Sequence, residues 1–208
     1  NAYFAAGMHE EILNRIFKIG EIRVISRTTM LRYQDSDLSL GEIASELQVS
    51  NVMEGSVRFA NDRVRITIQL VRARDDTHLW SETYDFALDD IFAIESDVAL
   101  NVAEAMEAKL LPAELASVEK QPTASTEAYT LFLQYRYQQE QESARSTLAP
   151  DGWLEAGIRR LKEAIRLDPQ FARGYAELGY LYWIKGQISP LDELVELYDE
   201  SIVYVERA

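Results

Sequence analysis

The histidines and the carboxylates are the side chains of this sequence that could do chemistry. His9 stands beside Glu10-Glu11, and His78 follows Asp75-Asp76. Neither histidine has the i, i+4 partner of a helical zinc site, and no phosphate loop or nucleophile elbow is present to organise a reaction. We therefore expect no catalytic residue, no cofactor and no metal site. A hydrolase or transferase centred on His9 or His78 is the rival hypothesis.

The charge balance excludes a further class of function. The 208 residues include 35 acidic and 21 basic side chains, for a net charge of -14, and no cysteine. An acidic chain of this kind disfavours wide contact with phosphates, so we expect no nucleic-acid partner. The lack of cysteine removes disulfides and thiolate sites but leaves the compartment open. No apolar run approaches the roughly 18 residues of a membrane span.

Hydrophobic periodicity organises the first half into alternating helices and strands. Apolar residues at helical spacing predict a helix over residues 8–19, with the apolar face Met8, Ile12, Leu13, Ile16, Phe17 and Ile19. The β-branched run Arg23–Arg27 predicts a buried strand. Asp37 or Ser39 can then cap a helix that runs through Leu47. Part of the segment 40–51 looks like half of a helix-turn-helix, but a strand follows it instead of a recognition helix.

Strict alternation then predicts a β-hairpin. Apolar residues alternate with polar ones from Met53 to Phe59 and again from Val64 to Leu70, with a turn at Asn61-Asp62 between them. A third strand is predicted at Leu79–Tyr84. Asp89-Asp90 then opens a long helix whose apolar face is predicted to extend from Ile91 to Leu110.

A break in periodicity divides the chain. Pro112 and the polar stretch that ends at Thr126 predict a linker over residues 112–126. We therefore expect an α+β chain, with a small mixed α/β-sheet domain at residues 1–111 and an all-α array of helical hairpins at residues 127–208.

Three stretches of the first domain resemble the TolB amino-terminal-like domain. They are Glu10–Leu13, Arg23–Thr28, and Glu54–Arg58 continued by His78–Glu82. Such domains begin with a strand ahead of the first helix, and that strand is missing here. The resemblance therefore implies a vacant sheet position, which another chain can fill by strand addition, and hence a homodimer.

The second half resembles tetratricopeptide (TPR) repeats. The motif is an aromatic, a Leu-Gly pair and a tyrosine on one helix after a proline, and its residues are Pro169, Tyr175, Leu178, Gly179 and Tyr182. Gly179 lets a neighbouring helix approach, and Pro169 stops the preceding helix. Residues 138–152 and 188–194 are insertions relative to a 34-residue period. Since the motif is incomplete at Ala208, we expect the array to be truncated there.

The TPR resemblance implies a concave, partner-facing surface. The residues on that helix face are Arg173, Ala176, Tyr180, Trp183 and Ile184. The two resemblances together are typical of bacterial class III nucleotide cyclases and winged-helix regulators. We therefore expect a non-catalytic segment of a larger signalling protein that binds a protein or peptide, with an extracytoplasmic location favoured over a cytoplasmic one. The alternative is a small-ligand sensor coupled to a cyclase or transcription-regulator domain.

Overall fold

The computed structural model describes residues 2–33, 36–60, 63–144, 152–190 and 193–208. Its secondary structure is mostly helical with one small antiparallel sheet, which confirms the predicted α+β class. The chain separates into two compact units. The first comprises Met8–Lys120, and the second comprises Ala2–Gly7 together with Gln121–Ala208.

The elements that belong wholly or mainly to the first unit alternate helices with a hairpin and a third strand. In chain order they are α1 (Ala2–Phe17), α2 (Arg27–Met30), a 3-10 turn (Leu31–Tyr33), α3 (Leu40–Leu47), β1 (Asn51–Ala60), β2 (Arg63–Arg72), β3 (Thr77–Ala87), a second 3-10 turn (Leu88–Asp90), α4 (Ile91–Ala105) and α5 (Pro112–Glu119). Of the two predicted caps, Asp37 and Ser39, it is Ser39 that caps α3, in a capping box with Glu42.

The sheet has the order β1-β2-β3, and both pairings are antiparallel. The predicted hairpin is confirmed by its register, in which Val57 faces Ile66 and Met53 faces Leu70. The predicted turn at Asn61-Asp62 lies outside the described residues. Central strand β2 buries alternate side chains, the pattern of a sheet with one face on the core. The sheet therefore supplies one wall of the first unit's core.

The predicted strand at Arg23–Arg27 is wrong. Ile22–Ser26 is not part of the sheet, and α2 begins at Arg27. The β-branched composition favours a strand only where a neighbouring strand pairs the backbone. Among the described residues no such neighbour exists for this segment. Residues 23–27 have the composition of a strand, but no described strand pairs with their backbone.

Three other expectations need correction. Helix α4 ends at Ala105, so Leu110 does not belong to its apolar face, and Phe17 is 72% exposed rather than buried.

The segment predicted as linker holds α5, which begins at Pro112. Proline at the first helical position costs no hydrogen bond and presets the backbone angle, so it starts a helix here instead of breaking one. The Glu114 carboxylate also accepts the backbone N–H groups of Leu111 and Gly20, at 2.8 and 2.9 Å.

A buried arginine joins the helices of the first unit. Arg15 of α1 is fully buried and donates to the Glu95 carboxylate at 3.2 Å, to Ser96 Oγ at 3.0 Å and to the carbonyl oxygen of Val118. Its Nε lies 3.7 Å from the buried Glu11 carboxylate. Burying a charge is costly unless it is paired and hydrogen-bonded. The hydrogen bonds of the terminal nitrogens offset this cost, whereas Nε has no hydrogen-bond partner among the described residues and has only the ion pair with Glu11. These contacts fix α1 against α4 and the end of α5.

In the part of the second unit that the structure describes, the helices beyond residue 121 pack in sequence order, each against the next. They are α6 (Thr126–Ala144), α7 (Trp153–Leu167), α8 (Ala172–Ile188) and α9 (Leu194–Val205). Their core is aromatic and aliphatic, and its fully buried members include Tyr129, Phe132, Tyr135, Leu161, Phe171 and Leu178. The predicted insertion at residues 138–152 lies partly outside the described residues.

A single carboxylate ties the start of the second unit to the end of α7. Asp168 accepts hydrogen bonds from the Thr123 hydroxyl and from the backbone N–H groups of Ala124 and Gln170, the latter two at 3.0 and 2.9 Å. Burial by itself would raise the pKa of Asp168, but these hydrogen bonds favour the charged form and hold the pKa below its usual value.

Replacement of the buried arginine should destabilise the first unit strongly. We expect Arg15→Met to lower the free energy of unfolding by about 3–5 kcal/mol, because it removes the guanidinium that pairs with the buried Glu11 and Glu95 carboxylates. Urea unfolding followed by circular dichroism measures this change. The double variant Arg15→Met, Glu95→Gln should recover part of the loss. Arg65→Met is the control, since Arg65 is 61% exposed; an equal loss in that variant would contradict the argument.

The Asp168 cluster should make stability depend on acidic pH. Because the folded pKa lies below the unfolded value of about 3.9, the stabilisation is complete above that value and is lost as the pH falls through the folded pKa. We expect Asp168→Asn to lower the melting temperature at pH 7. The difference in melting temperature between the variant and the wild type should become smaller below about pH 4. An exposed carboxyl, Asp199, provides the control variant Asp199→Asn. A difference in melting temperature that does not change with pH would contradict the stabilising role of the ionised Asp168 carboxylate.

Candidate functional site

The residues of the TPR-like motif form the buried side of α8. Leu178 and Tyr182 are buried, and Pro169 comes two residues after α7 ends at Leu167. A Cβ atom added to Gly179 would lie 2.7 Å from Val205 Cγ2 and 3.0 Å from the Ser201 carbonyl oxygen. The Ser201 hydroxyl also donates to the Gly179 carbonyl oxygen at 2.9 Å. The glycine therefore permits close contact between α8 and α9.

The opposite side of α8 exposes two large aromatic rings. Tyr180 and Trp183 are 46% and 48% exposed, and their rings stack with centroids 6.0 Å apart and planes 19° apart. Ala176, one turn earlier, is also exposed, whereas Ile184 is half-buried. We call Ala176, Tyr180 and Trp183 the α8 aromatic surface. It combines apolar rings with little side-chain entropy to lose, which suits contact with a partner.

Arg173, which was predicted to face a partner, contacts an aromatic ring of the same unit. Its guanidinium lies 5.0 Å from the centroid of the Phe132 ring, in cation–π geometry. The ring it covers belongs to α6 and is itself buried. Arg173 is therefore engaged within the unit, and it borders the α8 aromatic surface without the freedom of an exposed side chain.

The sequence analysis did not predict a polar cluster that joins α8 to α6. Glu177 lies one residue beyond Ala176, and its carboxylate accepts the Tyr135 hydroxyl at 2.9 Å and pairs with Arg136 at 2.8 Å. Burial raises the pKa of Tyr135, and the neighbouring Glu177 carboxylate raises it further. The partners are 41 and 42 positions away from Glu177, so no local spacing in the sequence could have revealed them.

The two histidines lie on different elements of the first unit. His9 lies on α1 and His78 on β3, and both are exposed. Within the described ranges, no three histidine, aspartate or glutamate residues gather as metal ligands. None of the helices in those ranges is both long and apolar enough to cross a membrane.

Comparison with known proteins shows a relative that matches most of this chain. No protein-family model matches the chain. A protein named "Putative adenylate cyclase 3" from Rhizobium meliloti (strain 1021) is 33% identical over 179 residues, which are 86% of this chain. The chain spans only 29% of that relative's length. An adenylate cyclase is a signalling enzyme, so the similarity fits a signalling protein.

The close approach at Gly179 gives a test of the packing between α8 and α9. We expect Gly179→Ala to destabilise the chain by about 1–3 kcal/mol, because the added methyl group meets the backbone of α9 and cannot be moved aside cheaply. Thermal or urea unfolding measures this loss. Gly41→Ala is the matched control, since its Cβ would stay 3.4 Å from the nearest atom; alanine also favours helix at that position. Equal effects of the two substitutions would contradict the packing argument.

Proposed function

We propose that residues 1–208 are a non-catalytic, regulatory segment of a larger bacterial signalling protein, and that their second unit binds a peptide of a partner protein. The α8 aromatic surface is the proposed contact. The single observation that carries the proposal is the exposure of Tyr180 and Trp183 as a stacked pair, on a helix whose other face is fully used in packing.

The surroundings of the aromatic pair support a preformed surface. The Arg136–Glu177 ion pair and the Tyr135 hydroxyl hold the helix beside the pair through contacts to α6. Surfaces that are ordered before binding lose less entropy on complex formation. Because Glu177 is already paired within the protein, the proposed anchors are the two rings rather than a charge.

The chemistry of the proposed partner follows from the rings and the net charge. Exposed tyrosine and tryptophan rings bind apolar side chains, and they also bind arginine or lysine by cation–π contact. A net charge of -14 attracts a basic segment and repels an acidic one. We therefore propose a peptide that carries apolar and basic residues.

The TPR and TolB-like assignments belong to the same proposal. Two pairs of consecutive packed helices and the small sheet unit are compatible with both families. The Rhizobium relative is named as a putative cyclase, and this chain covers less than a third of it. We propose that catalysis resides in another part of the parent protein and that this segment regulates or assembles it.

Panning of a random peptide library on the 208-residue chain tests the proposed contact. Recovered peptides are then measured against the wild type and against the double variant Tyr180→Ala, Trp183→Ala. We expect enrichment of peptides with apolar and basic residues, and at least about tenfold weaker binding to the double variant, as for aromatic anchors at other interfaces.

Phe17→Ala is the matched control, because Phe17 is an exposed aromatic residue of α1 outside the proposed surface. This variant should bind the peptides like the wild type, and unchanged melting temperatures should show that all variants fold. Failure to enrich any peptide, or equal affinity of the wild type and the double variant, would overturn the proposal.

A further inference from the structure

The first unit contains an open apolar cleft beside the outer edge of β1. Its volume is about 410 Å³. One wall is formed by the extended segment Ile22–Ile25, and a second wall includes residues 49–53. Side chains from α1, β2 and α4 also line it, among them Leu13, Ile16, Leu70 and Val102. We call this space the β1 cleft.

Backbone groups on both walls have no strand partner. Among the described strands, β1 is at the edge of the sheet and pairs with β2 along one edge only. Among the described residues, no backbone hydrogen bond joins Arg23–Ile25 to another element. Unpaired strand edges are templates for the addition of a further strand. Here two such edges border one space.

The lining of the cleft defines the chemistry of what it can hold. The described lining residues include no aspartate or glutamate, although the chain has 35 of them, and Arg23 is their only residue with a fixed charge. Side chains of a strand alternate between two faces. An extended segment with apolar residues at alternate positions would direct them onto Ile16 and Val102 while its backbone meets the two edges.

A folded copy of the same chain does not suit this space. Strands β1 and β3 of a second copy are already part of its sheet, and a volume of about 410 Å³ cannot admit a sheet with its packed helices. A single extended segment is the occupant whose size and hydrogen-bonding groups match. The homodimer expected from the sequence requires a second copy to complete the sheet, and this cleft is too small to admit one.

We propose that the β1 cleft receives one β-strand, supplied by a segment of the same parent polypeptide that lies outside residues 1–208. The Rhizobium relative extends far beyond the matched stretch, which leaves ample chain for this role. A strand tethered to the unit has a high effective concentration and needs few contacts to remain bound. The source of the strand rests on the proposed function, which makes these residues part of a longer protein.

Synthetic peptides of about ten residues that tile the parent polypeptide outside residues 1–208 test this proposal, since a strand of that length spans the edge of β1. Binding to the 208-residue chain is measured by fluorescence anisotropy, and amide hydrogen exchange is followed across Asn51–Ala60. We expect one peptide with alternating apolar residues to bind and to slow exchange of β1 amides. Such protection reports backbone pairing, which apolar contact alone would not give.

Two substitutions localise the binding. Ile25→Asp places a carboxylate in the cleft and should weaken the peptide at least about tenfold, because a buried unpaired charge is costly. Leu31→Asp is the control, since Leu31 is 41% exposed and does not line the cleft; it should leave binding unchanged. Tyr180→Ala and Trp183→Ala should also leave it unchanged, which separates this test from that of the α8 aromatic surface.

Several results would overturn the proposal. They are the absence of any tiled peptide that protects β1, binding that does not distinguish Ile25→Asp from Leu31→Asp, and protection of β1 by self-association of the 208-residue chain alone. Saturation of the cleft by an apolar small molecule, with no peptide able to displace it, would assign the cleft to a ligand instead of a strand.

Discussion

The need to neutralise Arg15 constrains the whole first unit. A guanidinium that is fully buried must find charge and hydrogen-bond partners inside the protein, and it finds them on α1, on α4 and after α5. Apolar packing alone tolerates small shifts between helices, but a hydrogen-bonded ion pair does not. The arginine thus fixes α1, α4 and α5 relative to one another, and the β1 cleft lies where no described strand pairs with the outer edge of β1.

In the second unit, one helix packs through one side and carries the proposed recognition surface on the other. One side of α8 has Gly179 in close contact with α9, and the other side presents Tyr180 and Trp183 to solvent. Helical periodicity makes this division possible, because residues one position apart point in directions about 100° apart. The Glu177 ion pair then holds the exposed rings in place from the side of α6.

The two proposed surfaces would select partners by different chemical properties. The α8 aromatic surface offers side chains, so its specificity would come from apolar and cation–π contacts. The β1 cleft offers backbone groups on two walls and an apolar floor, so it selects for extended conformation and alternating residues. A regulatory segment with both would connect to its own polypeptide through the sheet and to another protein through the helices.

The sequence by itself determined the features that depend on local spacing. Alternation fixed the β1–β2 hairpin and its buried face, Ser39 marked the start of α3, and helical periodicity marked α1 and α8. These follow from interactions between residues a few positions apart, which a single sequence displays directly.

Only the tertiary structure decided the features that depend on distant partners. Whether Arg23–Arg27 becomes a strand depends on a neighbouring backbone, and whether Phe17 is buried depends on which helix lies opposite it. The hydrogen-bond partners of Arg15 lie 80 to 105 positions away, and Arg136 meets Glu177 across 41 positions. Contacts at such separations leave no periodic trace in the chain, because folding, and not spacing, brings the two residues together.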